Sequence, residues 1–295
     1  MSAAVKLTQE QLVEKLDQLP TLPAIIYELS QLINDPMSST AEVEKLMSND
    51  QSLTTKVLKL ANSAYYAIPG GVSSLSRAIG YLGFDTVNQL VLSASIIQAL
   101  EVKGPTKFDM NEFWKHCLGV AFAAETIAKD INYPITADMF TAGLVHDMGK
   151  IALYTVDQEG FLATTQCAME KNMNSIDAEL ELGTFKHTDV GHLLSLKWKL
   201  PTKMQAVIKN HHKTNPAQRG GLSADLNQAV DIVLLANILI HALKFGHSGH
   251  SKVPGAPKDV MERLTIDPKE GFKRIVVAIK KSLDGAEEFL RVIGN

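Results

Sequence analysis

Cysteine is scarce in this chain, since only Cys117 and Cys167 occur among its 295 residues. Two cysteines that are far apart in sequence cannot build a disulfide scaffold or a paired Cys-x-x-Cys site. The scarcity therefore excludes the thiolate class of structural zinc sites and is typical of a protein in a reducing compartment. We expect a cytoplasmic protein.

The sequence also lacks an excess of charge and a long apolar run. Its 29 Lys and Arg residues nearly balance its 32 Asp and Glu residues, so the composition does not indicate a nucleic-acid partner. The longest apolar stretch, residues 232–243, contains Asn237 and His241 and is shorter than the roughly 20 residues that a membrane span needs. The N-terminus is charged and amphipathic, unlike a signal peptide. We expect neither a nucleic-acid nor a membrane partner.

Helix signals are plentiful. Ser39 and Glu42 have the spacing of a capping box. Asp267-Pro268 predicts a helix cap followed by a proline at the first helical position, ahead of a run whose apolar residues recur at steps of three and four. No segment alternates apolar and polar residues between turn signals, as an exposed strand would. The sequence therefore predicts an all-α fold, a bundle of many helices.

Two stretches interrupt the helical pattern. The breaker Lys-Gly-Pro-Thr at residues 103–106 separates two long helical segments. It predicts a division into an N-terminal helical subdomain, residues 1–106, and a second helical subdomain, residues 107–295. A stretch rich in Gly, Pro and Ser at residues 244–258 predicts a surface loop.

The nine histidines are the most informative residues. Helical spacing places five of them, with two acidic residues, on apolar and therefore inward faces of separate predicted helices. The other four histidines are predicted to lie outside this set. His192 is off the apolar stripe, and His241 is predicted to be a core residue. His247 and His250 are predicted to be exposed loop residues. The inward set consists of Glu112, His116, His146, Asp147, His187, His211 and His212.

Each member of the set also has an ordinary structural explanation. A single inward histidine is usually a hydrogen-bonded core residue, and a histidine pair at a helix end is favoured by the helix dipole. Burying five imidazoles and two acids together without a common partner, however, costs roughly 1–3 kcal/mol for each unsatisfied group. A divalent metal ion, or a close pair of ions, removes this cost because it coordinates neutral imidazoles and ionised carboxylates.

The donor set also indicates which metals and which chemistry to expect. Nitrogen and oxygen donors without thiolate suit Fe, Mn, Zn, Co or Ni, as one or two ions. Such a site binds phosphate oxygens and acidifies a water that attacks phosphorus. Asp147 is the natural bridging ligand. Lys150, one turn later, is placed either to donate to a phosphate oxygen or to lie solvated at the surface, and the sequence leaves both open.

Longer motifs resemble a known family. In the second half these are FWKHCLGVA, AGLVHDMGK, LELGTFKHTDVGHLLSLKWKLP and VIKNHH, and in the first half LPTLPAIIYELSQLIND, SNDQSLTTKVLKLANSAYY and SSLSRAIGYLGFDTVNQLVL. Together they resemble the HDOD (HD-related output domain) family of bacterial signal-transduction proteins, within the HD superfamily of metal-dependent phosphohydrolases. The resemblance spans residues 19 to about 237. It implies an HD-domain-like helical bundle with an N-terminal helical subdomain.

The resemblance also implies a ligand set and a limit on the substrate. HDOD domains look like degenerate relatives of the HD-GYP phosphodiesterases that cleave cyclic di-GMP, and many act as regulatory interaction modules. All seven residues of the inward set match HD-GYP metal ligands, and a late acidic ligand falls at Asn237, while Asp231 would face elsewhere. The HH pair is followed by KTNPAQRGG instead of the HD-GYP signature loop. Cyclic di-GMP is therefore not an expected substrate.

Three functions remain open on these grounds. The first is a signalling module that a protein partner reads, with any metal structural. The second is a metal-dependent phosphohydrolase in which Asp147 and the histidines hold the metal and Lys150 steadies a phosphoryl oxygen. The third combines them: the metal site binds a phosphorylated small ligand as a signal without hydrolysing it.

Overall fold

A computed structural model describes residues 7–34 and 38–293. Across these residues the regular structure is helical and contains no strand, so the predicted all-α class is confirmed. The N-terminal helices are α1 Gln9–Asp17, α2 Ala24–Asn34, α3 Thr40–Met47, α4 Gln51–Ala61, α5 Leu75–Leu82 and α6 Phe84–Ala99. The later helices are α7 Met110–Asp130, α8 Thr136–Val145, α9 Met148–Val156, α10 Gln158–Glu170, α11 Ser175–Leu182, α12 His187–Lys197, α13 Thr202–Asn210, a 3₁₀ turn Pro216–Gln218, α14 Ala224–Leu243, α15 Lys258–Arg263 and α16 Glu270–Ile293.

The helix ends follow local signals in the sequence. Ser39 and Glu42 form the predicted capping box at the start of α3. Asp267 caps α16 by accepting hydrogen bonds from the backbone N–H groups of Lys269 and Glu270. The helix begins at Glu270, so the prediction that Pro268 occupies its first position is wrong: residues 268–269 form a turn instead.

Helix α7 lies at the centre of the bundle and packs against α8, α14 and α16. The α7–α8 crossing is close because Gly143 has no side chain: a Cβ there would lie 2.8 Å from the Ala121 Cα atom. The N-terminal helices join the same apolar core, since α6 packs against α8 and α4 against α16. The core is thus continuous across the proposed boundary at residue 106, and the division into subdomains stays a prediction.

Helix α14 is the one helix in the described part of the chain that is long and apolar enough to cross a membrane. However, 61% of its apolar window is buried inside the protein, where it packs against α7, α8 and α13. This burial identifies α14 as a core helix. The cytoplasmic location expected from the scarcity of cysteine stays a prediction.

Candidate metal centre

Four helix ends and the middle of α7 bring the candidate ligands together. Asp147 lies between α8 and α9, and His187 begins α12. These two residues meet because α9 and α12 touch backbone to backbone at Gly149, where a Cβ would lie only 1.9 Å from the His187 carbonyl oxygen. The glycine of the HDMGK sequence is therefore required by packing, and this packing delivers Asp147 to the ligands of the neighbouring helix.

Asp147 is the hub of the centre. Its Oδ1 lies 3.3 Å from His187 Nε2 and 3.4 Å from His211 Nε2. Its Oδ2 lies 3.4 Å from His146 Nε2 and 2.8 Å from Lys150 Nζ. The carboxylate is almost completely buried, and burial alone would raise its pKa. The Lys150 and His146 side chains outweigh that effect and hold the pKa of Asp147 well below its usual range, so it is ionised.

The candidate ligand atoms fall into two groups that share Asp147. Within each group every ligand atom lies within 4.8 Å of the others. Because Asp147 belongs to both groups, it is the residue that a divalent ion in either group would share with the histidines. The first group contains Asp147, His187, His211 and His212, and the second contains His116, His146 and Asp147.

Hydrogen bonds turn three imidazoles toward Asp147. His146 Nδ1 lies 2.6 Å from the Gly143 carbonyl oxygen, and His211 Nδ1 lies 3.1 Å from the Ile208 carbonyl oxygen. A carbonyl oxygen can only accept, so each Nδ1 carries a proton, and in the neutral imidazole each Nε2 has its lone pair on the side of Asp147. Metal-binding histidines are oriented in this way by their outer nitrogen.

Glu179 on α11 orients the third imidazole, and the sequence did not identify it. Its Oε1 accepts hydrogen bonds from the His187 Nδ1, at 2.6 Å, and from the His187 backbone N–H, at 3.1 Å. Burial tends to lower the pKa of His187, but the Glu179 and Asp147 carboxylates outweigh it and raise that pKa to about 9. Glu179 is on α11 and His187 begins α12, so the periodicity within one helix could not have revealed their contact.

Several buried polar atoms of the centre have no hydrogen-bond partner in the protein. They include both ring nitrogens of His116, Nε2 of His146 and Nε2 of His211. Burial lowers the pKa of His116, and it lowers the pKa of His211 to about 4, so these imidazoles are neutral, the form that coordinates metal. Unpartnered neutral nitrogens around an ionised carboxylate are a donor set that fits a divalent transition metal.

Lys150 is buried, not solvated. Its side chain is 3% exposed and pairs with Asp147. It also donates to the Ser248 carbonyl oxygen at 3.0 Å and to Ser248 Oγ at 3.1 Å. The solvated alternative left open by the sequence is therefore wrong, and the role of Lys150 toward a phosphate stays a prediction.

Glu112 and Asn237 are the two remaining predicted ligands. Glu112 is partly exposed near the start of α7, and its backbone carbonyl accepts a hydrogen bond from the His247 N–H. Its carboxylate belongs to neither group. Asn237 is buried on α14, and its Oδ1 is unpartnered. Asn237 lines a cavity that His211 and His212 also line.

The loop between α14 and α15 corrects another expectation. Residues 251–255 are exposed, as predicted for a surface loop, but residues 248–250 are buried, and His250, which is predicted to be exposed, is only 3% exposed. The loop turns inward because Gly246 lies against α7, where a Cβ would be 2.2 Å from the His116 backbone nitrogen. The buried loop places the His250 ring 4.3 Å, centre to centre, from His241 on α14, and the His241 ring also lies 4.3 Å from His116 on α7.

A cavity of about 270 Å³ opens beside the centre. Its polar wall includes His211, His212, Asn237, His241 and His250, and Leu234 is among the residues of its apolar wall. Ligand-binding pockets usually measure about 300–1,000 Å³. The cavity is therefore near the lower end of that range and suits a small ligand that reaches the histidines.

An all-α bundle whose adjacent His146-Asp147 pair is buried among histidines from neighbouring helices defines an HD-like protein. The HDOD domain model matches residues 19–214 of the sequence. The chain belongs to the HDOD family, so the membership predicted from its motifs is confirmed.

Known proteins similar to this chain cover nearly all of it. An uncharacterized protein of Treponema pallidum is 21% identical over 277 residues, which are 94% of this chain. The chain spans about half (52%) of that curated relative's length. A crystal structure of an HDOD domain protein of unknown function from Geobacter sulfurreducens has a TM-score of 0.79 at 25% identity, covering 95% of this chain and 97% of that protein.

A second solved structure supports the fold. A candidate phosphohydrolase of Shewanella amazonensis has a TM-score of 0.72 at 23% identity, covering 96% of this chain and 98% of that protein. At this identity the likeness shows that the two share a fold.

Proposed function

We propose that this HDOD chain is a regulatory module whose buried metal centre binds a phosphorylated small ligand, and that a signalling protein partner reads the resulting state. One observation carries the proposal: Asp147 is shared by two groups of imidazoles, in which His116, His146 and His211 have buried ring nitrogens without a hydrogen-bond partner. Without a bound cation these nitrogens have no partner in the protein, and each such group costs roughly 1–3 kcal/mol. A buried cluster that only stabilised the fold would not require these unpartnered nitrogens.

The proposal gives each residue a role. Asp147, His187, His211 and His212 would hold one ion, and His116 and His146 would hold a second with Asp147. When bound, a divalent transition metal supplies positive charge and Lewis acidity toward a phosphoryl oxygen. Lys150 adds a further positive charge beside Asp147. The adjoining cavity gives the ligand access to His211 and His212.

A second candidate function, phosphate-ester hydrolysis, is favoured by the position of Lys150. A buried lysine held next to the bridging carboxylate is oriented by Asp147 and Ser248, so its ammonium group can stabilise charge on a phosphoryl oxygen. The sequence after His212 lacks the HD-GYP signature loop, and for this reason we propose a phosphate ester other than cyclic di-GMP as the substrate of this alternative.

Metal analysis tests the centre. Protein purified without chelator should contain about one or two ions of Fe, Mn, Zn, Co or Ni per chain. The double variant His146→Ala/Asp147→Ala should lose them, while His192→Ala, which removes a histidine of α12 outside both groups, should keep them. If the double variant folds and retains the full metal content, the assignment of the centre is wrong.

Turnover separates the two functions. The metal-loaded protein is mixed with bis(p-nitrophenyl) phosphate, and release of nitrophenolate is followed in the presence of Mn²⁺ or Fe²⁺. Hydrolysis that disappears in His146→Ala/Asp147→Ala supports the phosphohydrolase. Absence of turnover with every metal, together with full metal content, supports the regulatory module.

A further inference from the structure

We infer that Asn237, His241 and His250 form an additional cation site on the wall of the cavity, next to the Asp147 centre and distinct from its two ligand groups. The proposed function assigns no ion to His241 or His250. The additional site would take a divalent transition metal whose remaining coordination positions face the cavity.

The three side chains converge from two elements. Asn237 and His241 are four residues apart on α14 and so share one face of the helix. His250 comes from the loop after α14, which Gly246 holds against α7. All three residues line the same cavity. The site therefore has a rigid helical side and a side formed by the inward loop.

The spacing of the two rings suits a shared ion. Two imidazoles that bind one ion at roughly 2.1 Å have ring centres about 4.5 Å apart when the bonds are at right angles, and about 5.2 Å apart at a tetrahedral angle. The His241 and His250 ring centres are 4.3 Å apart. In the Asp147 centre the corresponding distance is 4.2 Å for His211 and His212. The two ring pairs are thus equally close.

The available lone pairs also suit a cation. His250 Nδ1 donates to the Lys252 carbonyl oxygen at 3.1 Å, which leaves an acceptor lone pair on Nε2. That Nε2 and the Asn237 Oδ1 are buried without partners, and their residues are 3% and 5% exposed. His241 Nε2 has only a long contact, 3.4 Å, with Ser248 Oγ. Unpartnered acceptors favour a cation or a hydrogen-bond donor over an anion.

The donor set selects the kind of cation. Two imidazoles and one amide oxygen carry no negative charge, and Mg²⁺ and Ca²⁺ prefer sites rich in carboxylate oxygens. Neutral nitrogen donors favour Co²⁺, Ni²⁺, Cu²⁺ or Zn²⁺. Burial lowers the pKa of both His241 and His250, which keeps them neutral. The nearby ammonium group of Lys150 is compensated by Asp147, 2.8 Å away.

Co²⁺ binding tests the inference. Metal-free protein is dialysed to equilibrium against Co²⁺, and bound Co²⁺ and its visible absorption are measured. The variant His250→Ala should bind about one Co²⁺ fewer than wild type. His247→Ala, in the same loop but outside the three-residue site, should bind the wild-type amount. Asn237→Asp, which adds a charged ligand, should bind that Co²⁺ at least about tenfold more tightly.

The outcomes separate this inference from the proposed function. If His250→Ala folds and matches wild type in both Co²⁺ content and absorption, the additional site is overturned. If His146→Ala/Asp147→Ala matches wild type while His250→Ala loses one Co²⁺, the additional site is supported and the Asp147 centre fails. If His250→Ala and His146→Ala/Asp147→Ala lose different Co²⁺ ions, the additional site and the Asp147 centre are both supported. Unchanged thermal unfolding of the metal-free variants shows that they fold.

Discussion

Asp231 and Asp147 are both buried carboxylates of the C-terminal helices, but their surroundings differ. Asp231 pairs with Arg219 and Arg263, with its Oδ2 2.7 Å from Arg263 Nε. The Arg219 guanidinium also donates to the Lys213 carbonyl oxygen, at 2.7 and 2.9 Å. Arg263 donates to the Thr214 carbonyl oxygen at 2.8 Å. The donors of this network have acceptors, and the network holds the segment that follows His211 and His212.

Asp147 has one ordinary ion pair, to Lys150, and is otherwise surrounded by imidazoles, of which His116, His146 and His211 have buried ring nitrogens without partners. A buried network whose hydrogen bonds are complete serves the fold, whereas one with unpartnered acceptors is arranged for something that the chain does not supply. The difference between the two aspartates therefore separates a structural network from a binding site. It also predicts different responses to mutation.

The largest expected effect is on the structural network. Asp231→Ala leaves the buried guanidinium of Arg219 without its counter-ion, and we expect it to reduce the free energy of unfolding by about 3–5 kcal/mol, with or without metal. Urea denaturation measures this change. The control is Asp259→Ala, which removes an exposed partner of Arg263 and should cost less than about 1 kcal/mol. A loss below about 1 kcal/mol for Asp231→Ala would contradict the structural role.

The same experiment on the Asp147 centre should give a different result. Asp147→Asn combined with Lys150→Met removes both charges of the pair, so the metal-free protein should stay within about 1 kcal/mol of wild type. Wild type at a Zn²⁺ concentration one hundred times the Kd of the Asp147 centre should gain about 2.7 kcal/mol from that centre, and the double variant should lack this contribution. Denaturation with and without Zn²⁺ measures both quantities. An equal gain in the two proteins would show that Asp147 does not bind the metal.

Features of the fold set by neighbouring residues were predictable from sequence. Capping at Ser39 and the apolar faces of the helices depend on residues within a turn or two. The same periodicity pointed His116 and His146 inward, and the structure brings both to Asp147. Local patterns thus predicted which histidines face inward, and their role as metal ligands stays a prediction.

Features set by contacts between distant segments were not predictable. Glu179 meets His187 through the turn between α11 and α12, and His250 is buried because its loop packs on α7 at Gly246. The Gly- and Pro-rich composition of residues 244–258 predicts a surface loop, because these residues indicate irregular backbone but not the direction in which the chain runs. The burial of Lys150 could not be predicted, because its hydrogen-bond partner Ser248 is 98 residues away in sequence.

The smallest expected effect concerns Glu179, which touches the centre only through His187. Glu179→Gln keeps an acceptor for the His187 N–H groups but removes the charge that makes this imidazole a stronger ligand, so metal affinity should fall by about 10–100-fold. Calorimetric titration with Zn²⁺ measures the change. Glu181→Gln, on the same helix but paired with Lys171 at the surface, is the matched control and should bind Zn²⁺ as wild type does. If Glu179→Gln and Glu181→Gln bind Zn²⁺ equally well, Glu179 is a structural carboxylate like Asp231. The binding site then does not extend from the histidines to Glu179.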